Sequence, residues 1–168
     1  LQVALAADGE ILVRGAGVLG YMDAPHNPAD PWPTGDIGTI KDGYVYISGR
    51  KKHQFITAFG RNVNPEWVEA ELCSQPEIKQ AFVYGESLPV NIAILVTASC
   101  DEQAVQDAVD RVNERLPDYA QIAIWKHARE PFSAHNKQLT ANGRLRRDEI
   151  LDSYQSFFNP SKLSLECM

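Results

Sequence analysis

Four basic side chains near the end of the chain have the chemistry needed to bind phosphate. They lie in the polar segment FSAHNKQLTANGRLRRDEI, around the turn dipeptide Asn142-Gly143. The four are Lys137, Arg144, Arg146 and Arg147. Charge-assisted hydrogen bonds from such cations to phosphate oxygens are the stronger kind. Composition alone favours a solvated basic loop that leads into a helix, so the choice between the two depends on the neighbouring motifs.

Asp36 stands in a glycine turn, in the sequence WPTGD. A carboxylate held there can accept two hydrogen bonds at once from a ribose diol, although an ordinary turn aspartate is the alternative. Upstream, Gly15–Gly20 matches the G-x-G-x-x-G dinucleotide fingerprint, which needs a helix directly after it. Prolines follow instead, at positions 25, 28, 31 and 33. We therefore predict a long loop over 22–36 and no Rossmann site.

The elements that would position these residues begin with an all-β segment. Strands are predicted over Gln2–Ala6, Glu10–Arg14 and Tyr44–Ser48, separated by the turn dipeptides Asp8-Gly9 and Asp42-Gly43. The chain opens with Leu1 inside what has the pattern of a strand. We therefore expect it to be a piece of a longer polypeptide.

Strands and helices alternate after a basic turn, GRKK, at 49–52. Gln54–Ala58 is extended, Gly60 turns the chain, and a helix begins at Pro65 with Asn64 as its cap. Three further strands are predicted, over Gln80–Tyr84, Asn91–Thr97 and Ala120–Lys126. Two further helices are predicted, over Asp101–Leu116 and Arg146–Tyr154. The first of these is capped by Asp101 or by a Ser99/Glu102 capping box. The order β-β-α-β-β-α-β-α predicts a compact α+β domain of about a hundred residues.

Composition excludes several classes of function. The 168 residues are 44% hydrophobic and 23% charged, which are globular values, and the net charge of -6 argues against general affinity for nucleic acid or anionic membranes. Three cysteines without a C-x-x-C pair, and four histidines without ligand spacing, predict a reduced cytoplasmic protein with no metal site. The longest apolar run, around Ile92–Val96, is far too short to span a membrane.

Taken together, four motifs in order resemble the adenylate-forming superfamily, which includes acyl-CoA synthetases, firefly luciferases and peptide-synthetase adenylation domains. They are GEILVRGAGVLGY over residues 9–21, WPTGD over 32–36, GRKK over 49–52 and LTANGRLRR over 139–147. With Lys52 in place of an aspartate, GRKK is most similar to the long-chain acyl-CoA synthetase and AMP-ligase branches. The resemblance implies an α+β fold: a small C-terminal domain preceded by a β-rich piece of the large N-terminal domain.

The resemblance also implies an activity and a division of the chain. An enzyme of this family activates a carboxylic acid, fatty acids included, with ATP and Mg²⁺, releases pyrophosphate, and passes the acyl group to CoA or to a carrier-protein pantetheine. Residues 1–49 would end the N-terminal domain, 50–52 would form a hinge at Lys52, 53–158 would be the C-terminal domain and 159–168 a tail. Asp36 and Arg50 would bind the nucleotide, while Mg²⁺ would be held mainly by the N-terminal domain.

Two residues depart from the family's pattern. Arg144 stands where the family has a catalytic lysine, and a planar guanidinium does not replace a compact ammonium at one geometric point. Lys137, seven residues earlier, is the alternative catalytic cation. Phe59 replaces a glycine over which the pantetheine thiol passes, leaving Gly60 and Arg61 as the other residues of the thiol path.

Three interpretations follow from these motifs. The first is a C-terminal portion of an acid-thiol ligase that delivers to CoA, inactive when isolated. The second is the same ligase delivering to a carrier-protein pantetheine or another acceptor, which Phe59 favours. The third is a non-catalytic binding module whose ligase motifs are relics.

Overall fold

The computed structural model describes residues 2–15, 20–21, 24–25, 27, 30–98 and 101–158. The chain divides into two compact units, Leu1–Gln54 and Phe55–Met168. Among earlier predictions, Val18, Ser99 and the tail over 159–168 fall outside the described residues. The predicted boundaries at 49, 50–52 and 158 remain predictions.

The first unit is built on a four-stranded antiparallel sheet. Its strands are β1 (Gln2–Leu5), β2 (Glu10–Arg14), β5 (Trp32–Lys41) and β6 (Tyr44–Arg50), in the order β1-β2-β5-β6, and β3 (Gly20–Tyr21) pairs separately with β4 (Ala24–Pro25). Asp42 and Gly43 both have positive φ, 52° and 80°, between β5 and β6. This matches the primed hairpin turn that an Asp-Gly dipeptide favours.

The predicted loop over 22–36 is wrong at its end, because β5 begins at Trp32. Pro33 is only the second residue of this strand, and Gly35 bends the backbone with φ +74°. Register shifts interrupt the ladders on both sides of β5, so the missing proline N–H removes little regular pairing. Gly20–Tyr21, where the fingerprint requires a helix to begin, lies in a strand.

The second unit follows the predicted element order. Its elements are β7 (Phe55–Ile56), β8 (Asn62–Val63), α1 (Pro65–Cys73), β9 (Ile78–Tyr84), β10 (Asn91–Thr97), α2 (Glu102–Asn113), β11 (Ile122–His127) and α3 (Arg147–Ser153). The sheet order is β11-β10-β9, with β10 antiparallel to β9 and parallel to β11. Helix α2 is therefore the crossover that the parallel pair requires.

Both faces of this sheet are covered. Alternate residues of β10 point to opposite sides: Ala93 and Leu95 pack with α1 and α2, whereas Ile92, Ile94 and Val96 pack with Ile150 and Tyr154 around α3. A strand buried on both faces needs a continuous apolar run, which explains the sequence NIAILVT.

Side-chain caps fix where the two longer helices begin. The Asn64 side chain accepts a hydrogen bond from the Glu66 N–H, and Pro65 occupies the first turn, as predicted. Asp101 accepts from the N–H groups of Gln103 and Ala104, so Asp101 caps α2.

Candidate functional site

The basic segment between β11 and α3 is an ordered hairpin rather than the flexible loop expected from its composition. Leu139 pairs with Leu145 across it, and the Thr140 N–H donates to the Arg144 carbonyl over 2.8 Å. Gly143 turns the tip with φ +75°, and the Arg144 N–H donates to Thr140 Oγ1 over 3.1 Å. The backbone of Arg144 is thereby fixed at the tip while its side chain is exposed to solvent.

The four cations of this hairpin divide into two pairs. Arg146 forms an exposed ion pair with Glu149, at 2.9 Å, and Arg147 forms a buried one with Glu69. Lys137 and Arg144 are exposed, and neither side chain has an ion pair or hydrogen bond within the described residues. Among the four, Lys137 and Arg144 are therefore the two whose side-chain donors have no other partner within the described residues.

Arg147 holds the end of the hairpin to the core. Its Nη2 donates to both carboxylate oxygens of Glu69 over 2.7 Å, its Nη1 donates to the Val83 carbonyl over 3.3 Å, and the guanidinium lies 5.3 Å from the centroid of the Phe82 ring. These contacts join α1, β9 and α3. Arg147 therefore supports the hairpin and is not free to bind phosphate.

Glu69 is a site residue that the sequence analysis did not single out. It is only 7% exposed and also accepts a hydrogen bond from the Val83 N–H over 2.8 Å. Burial raises the pKa of the Glu69 carboxyl, with the nearby Arg147 guanidinium and the Val83 N–H acting in the opposite direction. The sequence signal for its burial was its spacing. Glu69 lies four residues after buried Pro65 and three before buried Leu72, which places it on the buried face of α1.

Lys137 adopts an unusual backbone conformation for a lysine, with φ +62°. A side chain in the left-handed region costs roughly 1–2 kcal/mol relative to glycine. Its N–H donates to the Ala134 carbonyl over 3.2 Å, which closes the turn in which it lies. Lys137 therefore projects from a defined turn of the same segment that carries Arg144.

Asp36 and Arg50, the predicted nucleotide-binding residues, are neighbours in the first unit. They face each other across β5 and β6, and Arg50 Nε lies 2.9 Å from Asp36 Oδ1. The Asp36 N–H donates to Thr34 Oγ1 over 3.1 Å, and Gly35 supplies the positive φ of the turn. The arrangement leaves an aspartate oxygen beside a guanidinium, both partly exposed to solvent.

The Glu10 carboxylate stabilises the turn at Gly35. It is 8% exposed, and its Oε1 accepts a hydrogen bond from the Gly35 N–H over 3.0 Å. Its other oxygen pairs with Lys51 Nζ at 2.7 Å, which also pairs with Asp8. The hydrogen bonds to Asp8 and Glu10 raise the pKa of Lys51, and the hydrogen bond from Lys51 lowers the pKa of Asp8. Glu10 was quoted in a motif but assigned no role.

The predicted hinge residue, Lys52, lies in a single 3₁₀ turn, Lys51–His53, between β6 and β7. Strand β6 continues through Gly49 and Arg50, so the turn begins two residues later than predicted. Lys51 is held by its two carboxylates, whereas Lys52 is exposed without an ion pair among the described residues. The hinge itself remains a prediction.

The predicted thiol-path residues form the turn between β7 and β8. The Arg61 N–H donates to Thr57 Oγ1 over 3.2 Å, and Gly60 has φ +74°. Phe59 is 76% exposed at the tip. Phe59 and Arg61 both line a pocket of about 380 Å³ in the second unit, so the structure brings these two residues to one cavity.

No helix in the described residues is long and apolar enough to cross a membrane. The same residues contain no group of three or more His, Cys, Asp or Glu side chains that could hold a metal ion.

The class of protein is shown by a family model and is accompanied by a similar fold in solved structures. The adenylation domain of a carboxylate reductase from Mycobacterium chelonae has a similar fold, with a TM-score of 0.74 and 21% identity over 95% of this chain and 28% of that domain. The family model described as the AMP-binding enzyme C-terminal domain matches residues 52–159. The chain belongs to this family.

Two curated relatives are CoA ligases. The long-chain-fatty-acid CoA ligase FadD15 of Mycobacterium tuberculosis is 42% identical over 100 residues, covering 55% of this chain and 16% of the ligase. The 3-[(3aS,4S,7aS)-7a-methyl-1,5-dioxo-octahydro-1H-inden-4-yl]propanoyl:CoA ligase of Rhodococcus jostii is 42% identical over 131 residues, covering 71% of this chain and 25% of the ligase. The chain therefore spans between a sixth and a quarter of these relatives.

Proposed function

We propose that this chain is the C-terminal portion of an AMP-forming acid-thiol ligase. The parent ligase, meaning this chain joined to a complete adenylation domain, would convert a carboxylic acid and ATP to an acyl-adenylate and pyrophosphate. It would then pass the acyl group to the thiol of CoA. Mg²⁺, when bound with ATP, neutralises phosphate charge. A cytoplasmic location accords with the cysteine pattern.

The observation that carries this proposal is the state of the cations in the β11–α3 hairpin. Adenylation builds negative charge on the α-phosphate and on the departing pyrophosphate, and a cation aimed at that charge lowers the barrier. Arg146 and Arg147 are already paired with carboxylates, whereas Arg144 and Lys137 are exposed and unpaired within the described residues. We assign the catalytic cation to Arg144, with Lys137 as the alternative.

Asp36 and Arg50 are assigned to the nucleotide. An aspartate in this position can accept hydrogen bonds from both hydroxyls of a ribose, and the contact with the adjacent guanidinium orients its carboxylate. Their 2.9 Å contact supports the assignment, because it supplies a preformed pair on the turn at Gly35.

A second candidate function rests on Phe59. A ring that is 76% exposed at the thiol path favours an acceptor other than free CoA, such as a carrier-protein pantetheine. A binding module with relic motifs is the third candidate, and it predicts no adenylation at all.

The proposal is tested by carboxylate-dependent ATP–pyrophosphate exchange in the parent ligase. Arg144→Ala should slow exchange by about 100- to 1000-fold, as removal of one transition-state donor typically does. Transfer to thiol from a preformed acyl-adenylate should be spared. Arg144→Lys restores the family's residue and should keep or improve the rate.

Arg146→Ala is the matched control, because Arg146 has the same charge in the same hairpin but pairs with Glu149. It should change exchange little. A larger loss in Lys137→Ala than in Arg144→Ala would move the catalytic role to Lys137. Near-normal exchange by the Arg144→Ala/Lys137→Ala double variant would overturn the assignment of this hairpin.

A further inference from the structure

The pocket beside Phe59 lies between two turns of the second unit. One is the β7–β8 turn, which contributes Phe59 and Arg61; the other is the 3₁₀ turn Asp118–Ala120 that precedes β11. Its volume of about 380 Å³ is within the range of small-molecule sites. Tyr119 lines the second side and was not among the residues singled out from the sequence.

Arg61 lies over the ring of Tyr119, with its guanidinium carbon 5.1 Å from the ring centroid. The Arg61 backbone is tied to Thr57 in both directions, because the Thr57 N–H donates to the Arg61 carbonyl over 3.0 Å and Thr57 Oγ1 accepts from the Arg61 N–H. No carboxylate pairs with Arg61 among the described residues. A guanidinium stacked by one face keeps the N–H donors at its edge available for a phosphate.

The Tyr119 turn is itself anchored to the sheet by a buried amide. Asn91, 3% exposed, donates from Nδ2 to the carbonyls of Tyr119 and Gln121 over 2.8 and 3.1 Å. The Tyr119 N–H donates to Asp118 Oδ1 over 2.7 Å. A Cβ added at Gly85 would overlap Asn91 Oδ1, so the small residue at 85 makes room for this amide.

We infer that Tyr119 is a positioning residue that holds the Arg61 guanidinium in the lining of this pocket, where it binds the phosphate end of a pantetheine-type thiol acceptor. This inference rests on the proposed function. The chain of contacts runs from the buried Asn91 through the Tyr119 turn to Arg61. It restricts one flexible cation before the ligand arrives, so less rotamer entropy is lost on binding.

A double-mutant cycle in the parent ligase tests the inference, with KM for CoA in the transfer step as readout. Arg61→Ala should raise this KM about tenfold or more, as loss of a hydrogen bond to a charged group does. Tyr119→Leu should raise it about two- to fivefold, the range of an exposed cation–π contact. In the Arg61→Ala background, Tyr119→Leu should have no further effect. Tyr119→Phe keeps the ring and should behave as the wild type.

Additive effects of Arg61→Ala and Tyr119→Leu would overturn the inference, as would equal losses in Tyr119→Phe and Tyr119→Leu. If Tyr119→Leu does not fold, Arg61→Lys supplies the same test at an exposed position: it should raise KM as Tyr119 loss does, and an unchanged KM would count against the stack. Pyrophosphate exchange is measured without thiol, so its absence from the parent rejects the proposed function separately.

Discussion

Three arginines within four residues have different environments. Arg147 is buried against Glu69, Arg146 pairs with Glu149 at the surface, and Arg144 projects from the hairpin tip without a partner among the described residues. The energetic consequences differ in the same order, because an exposed pair contributes little, whereas a buried charge without its partner costs several kcal/mol. Equal charge therefore does not mean equal role in this segment.

Loss of Arg147 should destabilise the second unit. Arg147→Met leaves the Glu69 carboxyl buried without its cation, so we expect the free energy of unfolding of the chain to fall by about 3–5 kcal/mol at neutral pH. Arg146→Met is the matched control and should cost no more than about 0.5 kcal/mol. Urea unfolding followed by circular dichroism measures both. If the two variants lost similar free energies of unfolding, the distinction between the buried Arg147 pair and the exposed Arg146 pair would be wrong.

The deficit of Arg147→Met should also depend on pH. Burial raises the pKa of the Glu69 carboxyl, and the variant lacks the guanidinium that opposes this rise. A group whose pKa is raised in the folded state binds its proton more tightly there, so stability falls as pH rises through that pKa. The variant should be closer to the wild type at pH 5 than at pH 8. A stability difference between Arg147→Met and the wild type that grows as the pH is lowered would contradict this prediction.

Phe59 gives a separate test of the thiol path. Its ring is exposed at the tip of the β7–β8 turn and lines the pocket, so Phe59→Gly removes bulk without opening a core cavity. If the ring narrows the path, this change in the parent ligase should raise the rate of acyl transfer to CoA and leave adenylate formation nearly unchanged. Single-turnover transfer assays would separate the two steps. Unchanged rates in both would mean that the ring lies away from the path.

At the scale of elements, the sequence predicted those helices and strands whose bounds are set by interactions between residues close in the chain. Helix α1 was predicted with its cap because the Asn64 side chain caps the Glu66 N–H one turn away and Pro65 suits the first helical position. Strand β10 has the predicted bounds because its apolar run is continuous. Strand β5 was not predicted. Its first residues lie in the proline-rich stretch, where proline is a poor strand residue, and pairing with β2 and β6 overrides that preference. The Glu69–Arg147 pair joins residues 78 positions apart, which no local pattern reports.

The turn at Lys51–His53 is the element in which a hinge prediction can be tested. Adenylation and thiol transfer need different domain orientations in the proposed mechanism, and a few junction residues must absorb the backbone change. Lys52→Pro fixes φ at 52 and restricts residue 51 as well. In the parent ligase it should impair one half-reaction more than the other.

Lys52→Ala is the control for this experiment, since it removes the side chain and leaves the backbone free. It should retain both half-reactions if Lys52 acts through its backbone. Equal loss of exchange and transfer in Lys52→Pro, with stability unchanged, would remove the hinge assignment.

At the scale of the whole molecule, the candidate residues are divided between the two units. The first unit holds the Asp36–Arg50 pair, and the second holds the hairpin with Arg144 and the turn with Phe59. Sequence motifs predicted most of these positions, since they lie in turns whose glycines and prolines are recognisable. The supporting partners Glu10 and Tyr119 depend on tertiary contacts and were found only in the structure.

The last prediction concerns the 168-residue chain by itself. The second unit has apolar clusters on both faces of its sheet and capped helices, so it should fold cooperatively. Slow amide hydrogen exchange across β9 and β10 would show this. The chain should nevertheless catalyse no ATP–pyrophosphate exchange, because in the proposed function the triphosphate and acyl sites belong to the larger N-terminal domain. Carboxylate-dependent exchange by the isolated chain, abolished by Arg144→Ala, would instead place a complete adenylation site within these residues and overturn the proposed division of labour.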